Sequence, residues 1–537
     1  MFDYIIVGGG SAGSVLAGRL SEDPATSVCL LEAGGDGKGL PVRLPVATAA
    51  TLAGRPVRIN NWAFETVPQP GLNDRCGFQP RGKALGGTSA INAMLYVRGH
   101  PKDYDDWAEL GCNGWSFDEV LPYFRKAENN ERGADDLHGS GGPLQVSEQR
   151  APRPISEAFI EAARQNQHPR NDDFNGPTQE GAGLYQVTQF HGGQRNGERC
   201  SAAAAYVHPV EDRPNLTVIT GAHATRILTE GNRAVGVAYR LGRTRHEARA
   251  RKEVLLCGGT FASPQLLLLS GIGPVDELRS HGIAPLHELP GVGRNLQDHL
   301  DFIFLSKSHS WDMFGITPRR LDKQIASIFE WRRTGNGMLA SPFAEAGAFL
   351  KTEPGLERPD IQLHFVVGMV DNHTRTMHLG HGYSCHVCML RPHSRGEVGL
   401  ADADPMAAPR IDPRFLSDPR DEDALLAGAR ITRQIMEAPA LQPYRKSDVY
   451  PYSGLSDDAL RADIRARADT IYHPVGTCKM GTDDMAVVDP RLKVHGFEGL
   501  RVIDASVMPT LIGGNTNAPT IMIAEKAVDM IRADATA

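Results

Sequence analysis

The sequence predicts an α/β fold (α+β overall). Three observations carry that reading. A short apolar run with a β-branched bias opens the chain, a glycine-rich turn follows it directly, and an apolar-periodic stretch then leads to a second apolar run that ends on an acid. The chain has 537 residues. That is long for one compact core, so two intimately joined domains are expected.

Taken in order, Phe2 to Val7 reads as a buried strand, and Gly8-Gly9-Gly10-Ser11-Ala12-Gly13 comes next. Val15, Leu16, Ala17 and Leu20 give one face of a helix, and Ser27 to Leu31 reads as a second strand, ending on Glu32. In such a Rossmann-like unit Gly8 permits the tight turn, Gly10 lets a pyrophosphate approach the backbone, and Gly13 lets the helix pack closely on the strand. The helix N-terminus offers free N–H groups and a partial positive charge to phosphates. Glu32 is spaced to accept hydrogen bonds from ribose hydroxyls. The motif by itself does not choose between FAD and NAD, and a glycine turn without a ligand is its bland alternative.

Further along, Gly82-Lys83-Ala84-Leu85-Gly86-Gly87-Thr88-Ser89-Ala90-Ile91-Asn92 is a second glycine-rich loop, a phosphate cradle or simply a loop. Val254 to Ile272 comes nearest to a membrane span, but Gly258, Gly259 and Pro264 interrupt it. Ser263 and Pro264 read there as the N-cap and first residue of a helix. Met313 to Arg333, with Arg319 and Arg320 inside it, is amphipathic and suits a lid, a membrane-facing segment or, as preferred here, core packing. Ile361 to Gly368, Tyr383 to Leu390 and Arg395 to Leu400 read as strands, and Asp418 opens a helical stretch. Cys385-His386-Val387-Cys388 invites a metal reading, with five further histidines between His364 and His393. Strand alternation puts Cys385 and Cys388 on opposite faces, so no metal site is expected.

Lys and Arg total 57 against 64 Asp and Glu, a net charge of −7, so there is no global basic footprint for nucleic acid. The start Met1-Phe2-Asp3-Tyr4 lacks the basic and apolar regions of a secretory signal. Eight scattered cysteines read as reduced thiols, and a cytoplasmic location is expected, with peripheral contact at the inner membrane left open.

Near the C-terminus come Tyr472-His473-Pro474-Val475-Gly476-Thr477 and Gly513-Gly514-Asn515-Thr516-Asn517-Ala518-Pro519-Thr520. With the two glycine loops and Asn295-Leu296-Gln297-Asp298-His299-Leu300, these motifs resemble the glucose-methanol-choline (GMC) oxidoreductases nearly end to end, from Asp3 to about Ile531. Within that family the chain looks most like bacterial FAD-dependent alcohol dehydrogenases, with choline dehydrogenases close by. The resemblance implies a Rossmann-like FAD-binding domain from residues 1–155, 195–305 and 460–537. It implies a discontinuous substrate domain from 156–194 and 306–459, built on a mostly antiparallel sheet. Gly8, Gly10, Ser11, Ala12 and Gly13 would hold the FAD pyrophosphate and Glu32 the adenosine ribose. Gly86, Gly87, Thr88, Ser89, Asn92, Ala93, Met94 and Leu95 would run along the flavin. Ala224 would meet the adenine, Asp504 and Ala505 would return to the pyrophosphate and ribityl chain, and Asn517 and Thr520 would also contact the cofactor. Some relatives tether flavin through a histidine at the position of Ile91, so non-covalent FAD is expected.

Alcohol oxidation by a flavin needs a base for the hydroxyl proton, hydride reach to flavin N5 and a stabiliser for the developing alkoxide. Imidazole suits the base role. The resemblance puts His473 there, with Asn517 as its hydrogen-bonding partner; His299 is expected to be structural. Glu345 matches a region that in choline-handling relatives contributes an acid facing a cationic head group, and a salt-bridged structural role is weighed equally. The implied reaction is a primary alcohol going to the aldehyde, with electrons passed to a quinone or similar acceptor. The alternatives are an alcohol oxidase that uses O₂ and makes hydrogen peroxide and, remotely, an FAD-containing hydroxynitrile lyase. Oligomeric state is not legible.

Overall fold

The computed structural model describes residues 1–55, 57–316 and 321–536; side chains at 316, 321–325 and 536 are not described. Two large sheets organise it. In the first, Leu216–Thr220, β2 (Val28–Glu32), β1 (Phe2–Val7) and Thr244–Leu256 lie side by side, all parallel, and Leu500–Val502 adds a parallel strand beside Thr244–Leu256. Parallel strands are covered on both faces, which explains why β1 and β2 read as near-continuous apolar runs. The long strand Thr244–Leu256 also begins an antiparallel meander with Arg233–Leu241 and Ala222–Glu230. Helix α1 (Ser11–Leu20) packs on this sheet with Val15, Leu16 and Ala17 fully buried. This is the Rossmann-like unit that the glycine spacing implied.

The helix expected to start at Pro264 runs from Gly259 to Leu269 and holds that proline inside it. Proline has no N–H for the carbonyl four residues back. That carbonyl, of Thr260, instead accepts from Thr477 Oγ1 at 2.6 Å. Ser263 Oγ meanwhile accepts from Gly258 N and donates to Asp504, so it serves the turn before the helix rather than capping a later start.

The second sheet is antiparallel throughout. Its order is Arg445–Asp448, Leu300–Ser308, Gly380–Met389, Ile361–Val366, Ala344–Leu350 and Gly181–Leu184, with Gly315–Ile316 and Asp469–Thr470 paired at its sides. The strand beginning at Leu300 belongs wholly to this sheet, so a division between residues 305 and 306 cuts a strand. Asp469–Thr470 joins it from the C-terminal region. Helix Pro419–Met436, capped by Asp418, covers this sheet and buries Leu425, Leu426 and Ala429. Cys385 and Cys388 fall into different apolar clusters, as alternation requires.

All eight cysteines are unpaired, and Cys76 alone among them is exposed. Among the described residues no helix is long and apolar enough to cross a membrane. Of the amphipathic segment, Arg319 and Arg320 lie outside the described residues. Met313 is buried, whereas Ile328 and Phe329 are exposed on helix Leu321–Thr334, so core packing holds for one end only.

Candidate active site

A cavity of about 1000 Å³ is lined from both sheets and from both glycine loops. At one end sits the N-terminus of α1. Gly8 adopts φ +99°, and a Cβ on Gly13 would lie 1.9 Å from Gly8 O, so the helix touches the turn. A Cβ on Gly10 would meet no protein atom nearer than 3.9 Å. It would project into the cavity, which is the space a pyrophosphate needs. No side chain caps α1 and its first turn carries no acid, leaving its amides to an anion. Glu32 accepts from Gly9 N at 2.9 Å and Gly34 N at 2.7 Å, and burial raises its carboxyl above the usual range. These residues fit an FAD dinucleotide.

The second glycine loop crosses the first. Gly86 N donates to Gly9 O at 2.7 Å, and a Cβ on Gly87 would come within 2.7 Å of Gly10 Cα. Beyond it Asn92, Ala93, Met94 and Leu95 line the cavity, with Met94 at φ +63°. Arg199, fully buried, secures this stretch: its guanidinium donates to Asn92 O at 2.6 Å, Asn92 Oδ1 at 2.8 Å and Thr48 Oγ1 at 2.5 Å. Ile91 is buried and offers no atom for a bond to flavin. Ala224, Asp504, Ala505, Asn517 and Thr520 complete the wall at the dinucleotide end. Asp504 accepts from Gly259 N, Ser263 Oγ and Ser506 N, at 2.8, 2.6 and 2.8 Å. Gly13 and Gly86 are the two expected cofactor residues that do not line the cavity; they act by letting backbone approach backbone.

His473 lines the other end. It follows Tyr472, a bulky residue at φ +77°, a costly conformation that persists only where the surroundings enforce it. The consecutive pair Asp298 and His299 enforces this one. Asp298 Oδ1 accepts from His473 N at 2.9 Å, and His299 Nδ1 lies 3.0 Å from His473 Nδ1. The other ring nitrogen, His473 Nε2, is 3.1 Å from Asn515 Nδ2. The orientation of that amide follows from its neighbours. Tyr185 gives its proton to Leu363 O at 2.8 Å, so its oxygen accepts from Gln362 Nε2 at 3.0 Å. Gln362 Nε2 also donates to Asn515 Oδ1 at 3.1 Å, which turns Asn515 Nδ2 toward the imidazole. The proton of neutral His473 therefore sits on Nδ1, facing His299, and Nε2 presents a lone pair.

Asn517, expected beside His473, is not its partner. The last long helix, Asn517–Thr536, begins at this residue, and Asn517 Oδ1 accepts from Ser11 Oγ at 2.8 Å at the dinucleotide end. Asn515, in the turn before the helix, takes the place at the imidazole. His299, read as structural, is indeed buried, but its hydrogen bond goes to His473 itself. Nothing local in the sequence marks that contact; Asp298-His299 and His473 meet only through tertiary folding. Glu345 lies behind the wall, fully buried, with one oxygen accepting from Arg153 N and Ser156 Oγ and the other from Ser341 Oγ.

Burial dominates the electrostatics. It holds the His473 imidazole well below its ordinary range, with His299 and Arg81 adding repulsion, and takes His299 down to about 3. It pushes Asp298 up to about 6 against the pull of Thr470 and Arg81. A neutral imidazole whose Nε2 accepts from an amide donor can exchange that bond for one with an alcohol, taking the hydroxyl proton while the amide holds the oxygen. Of the carboxylates lining the cavity, Glu32 and Asp504 are bound at the dinucleotide end and Glu65 is half exposed near Arg55.

Two segments, residues 2–301 and 392–524, match the family model described as GMC oxidoreductase. The chain is 46% identical over 535 residues to an alcohol dehydrogenase [acceptor] of Pseudomonas putida, covering 99% of this chain and 96% of the relative. It is 46% identical over 542 residues to an oxygen-dependent choline dehydrogenase of Pseudomonas savastanoi pv. phaseolicola, covering 99% and 93%. The crystal structure of pyridoxine 4-oxidase from Mesorbium loti superposes with a TM-score of 0.88 at 32% identity, covering 98% of this chain and 99% of that one. The chain belongs to the GMC oxidoreductase family, and is an FAD-dependent oxidoreductase acting on CH–OH donors.

Proposed function

We propose that this enzyme oxidises an uncharged primary alcohol to the aldehyde, with His473 as the base and Asn515 as the donor to the alcohol oxygen. The observation that carries the reading is the pairing of His473 Nε2, an acceptor, with the donor Asn515 Nδ2 on the cavity wall, a bond that an alcohol hydroxyl can insert into by donating to Nε2 and accepting from Nδ2. When bound, FAD supplies the hydride acceptor. His473 Nε2 takes the hydroxyl proton, and Asn515 Nδ2 holds the oxygen as its charge develops. His299 fixes the imidazole tautomer, and Asp298 holds the backbone of His473. At the other end, Gly8, Gly10, Ser11, Ala12, Glu32, Gly87 and Thr88 hold the dinucleotide, with Asn517, Thr520 and Ala505 closing over it. In this reading residues 1–155, 195–299 and 460–537 serve the cofactor, less the strand Asp469–Thr470. Residues 156–194 and 300–459 serve the substrate.

The charge distribution favours a neutral substrate. Of the carboxylates that line the cavity, Glu32 and Asp504 accept from backbone amides and Glu65 pairs with Arg55, while the Arg81 cation acts on His473 and Glu345 has both oxygens engaged behind the wall. A quaternary ammonium would lose its hydration there without a counter-charge. Choline and its neutral isostere 3,3-dimethylbutan-1-ol test this directly. The isostere is expected to have the higher kcat/KM; a clear preference for choline would reject the neutral-substrate reading.

The likeness to a relative named for an acceptor supports delivery of electrons to a separate acceptor; in this reading it is a quinone or similar molecule, reached in the cytoplasm or at the membrane surface. The likeness to a solved structure titled an oxidase favours a second reading, in which O₂ is the acceptor. Hydrogen peroxide formation under air, compared with quinone-dye reduction, separates the two.

A further inference from the structure

The cavity wall beside the catalytic pair carries two histidines for which alcohol oxidation has no use. His364 and His386 lie directly opposite each other on the adjacent antiparallel strands Ile361–Val366 and Gly380–Met389, so their side chains leave the same face of the sheet. Gln362 identifies that face. Its amide reaches Asn515, and His364, two residues on, points the same way about 6.8 Å further along the strand. Both histidines line the cavity, with exposures of 4% and 6%.

Their hydrogen-bonding capacity is incomplete in a complementary way. Neither ring nitrogen of His364 has a partner among the described residues. Its ring stacks on Tyr185, with centroids 5.9 Å apart, and keeps one donor and one acceptor unspent. His386 Nδ1 lies 2.6 Å from Asp301 Oδ2. A carboxylate only accepts, so Nδ1 carries a proton, and in the neutral imidazole Nε2 keeps a lone pair. The polar contact of Nε2 among the described residues is Ser384 Oγ at 3.5 Å, whose own proton goes to Gly368 O at 3.1 Å. Burial, with His473 and His386 nearby, holds His364 well below the usual imidazole range, so it stays neutral and keeps both functions.

A hydroxyl group can engage both rings at once: it accepts from the N–H of His364 and donates to Nε2 of His386. An ether oxygen satisfies only the donor, and a quaternary ammonium neither. We propose that His364 and His386 form a second substrate subsite that binds a hydroxyl remote from the one oxidised, so that the preferred substrates are α,ω-diols. This rests on the reading that the alcohol is oxidised at His473 and Asn515.

The test uses the FAD-loaded full-length enzyme and pairs of equal heavy-atom count. Butane-1,4-diol is set against pentan-1-ol, with 2-ethoxyethanol as the ether, and the series runs from propane-1,3-diol to hexane-1,6-diol. At least one diol is expected to exceed its monoalcohol by tenfold or more in kcat/KM, mainly through KM, with the ether nearer the monoalcohol. His364→Phe and His386→Phe should each bring that ratio close to one. A wild-type ratio of one or less across the whole series would overturn the proposal without any variant, as would variants that fold and keep the preference. If monoalcohols reduce the bound flavin and diols gain nothing, only the subsite fails. If no alcohol reduces it, the underlying reading fails as well.

Discussion

Two asparagines two positions apart do different work: Asn515 faces the imidazole of His473 and Asn517 the hydroxyl of Ser11. Replacing His473 with Ala should slow flavin reduction by about 10²–10⁴-fold, the scale of general base catalysis. Asn515→Ala should also slow reduction while FAD stays bound. Asn517→Ala, which cuts the bond to Ser11, should weaken FAD retention and affect the reduction step less. Anaerobic stopped-flow measurement and the flavin content of the purified variants separate these outcomes; equal effects of both asparagines on reduction would contradict the assignment. His473 and its flanking Pro and Gly residues were legible in the sequence because they lie in one short motif. The choice between Asn515 and Asn517 was not, because it depends on where the last helix starts. A helix beginning at Asn517 turns that side chain toward α1 and leaves Asn515 in the preceding turn.

At the level of elements, close backbone approach explains the glycines and one hydroxyl explains an internal proline. Gly13→Ala would set a methyl 1.9 Å from Gly8 O. Overpacking of this kind costs about 1–3 kcal/mol, and the variant should emerge with a lower melting temperature and little flavin. Thr477→Val should leave Thr260 O without its donor beside Pro264. The cost of a buried unsatisfied carbonyl is about 1–3 kcal/mol, to be read as a lower urea midpoint, and an unchanged midpoint would show that the helix needs no help there. The βαβ unit could be read from sequence because glycine spacing and two apolar runs encode it locally. The helix Gly259–Leu269 was placed late because the hydroxyl that relieves its proline comes from more than 200 residues away.

At the scale of the whole molecule, the two sheets bring a dinucleotide end and a histidine end into one cavity and exclude water from the imidazoles. Burial lowers the His473 pKa well below its ordinary value near 6.5. The base must be unprotonated, so flavin reduction should hold its plateau as pH falls through 6.5 and decline only in more acid solution. A midpoint at or above 6.5 would contradict the burial argument. The same group carries a stability sign. The unfolded chain accepts a proton at this histidine near 6.5 and the folded chain resists it, so its contribution is present above that pH and lost as pH falls below it. His473→Gln should therefore flatten part of the acid loss in melting temperature. The antiparallel character of the second sheet was anticipated, but its edges were not. Leu300–Ser308 and Asp469–Thr470 pair across a sequence distance that composition does not reveal.

If the imidazole at position 473 deprotonates an alcohol beside bound FAD, a primary alcohol added anaerobically to the purified holoenzyme should bleach the yellow flavin absorbance, with one equivalent of aldehyde formed per flavin. His473→Ala should bleach at least a hundredfold more slowly. Bleaching at an undiminished rate in that variant, or a flavin that stays oxidised across neutral alcohols and diols alike, would contradict this deprotonation.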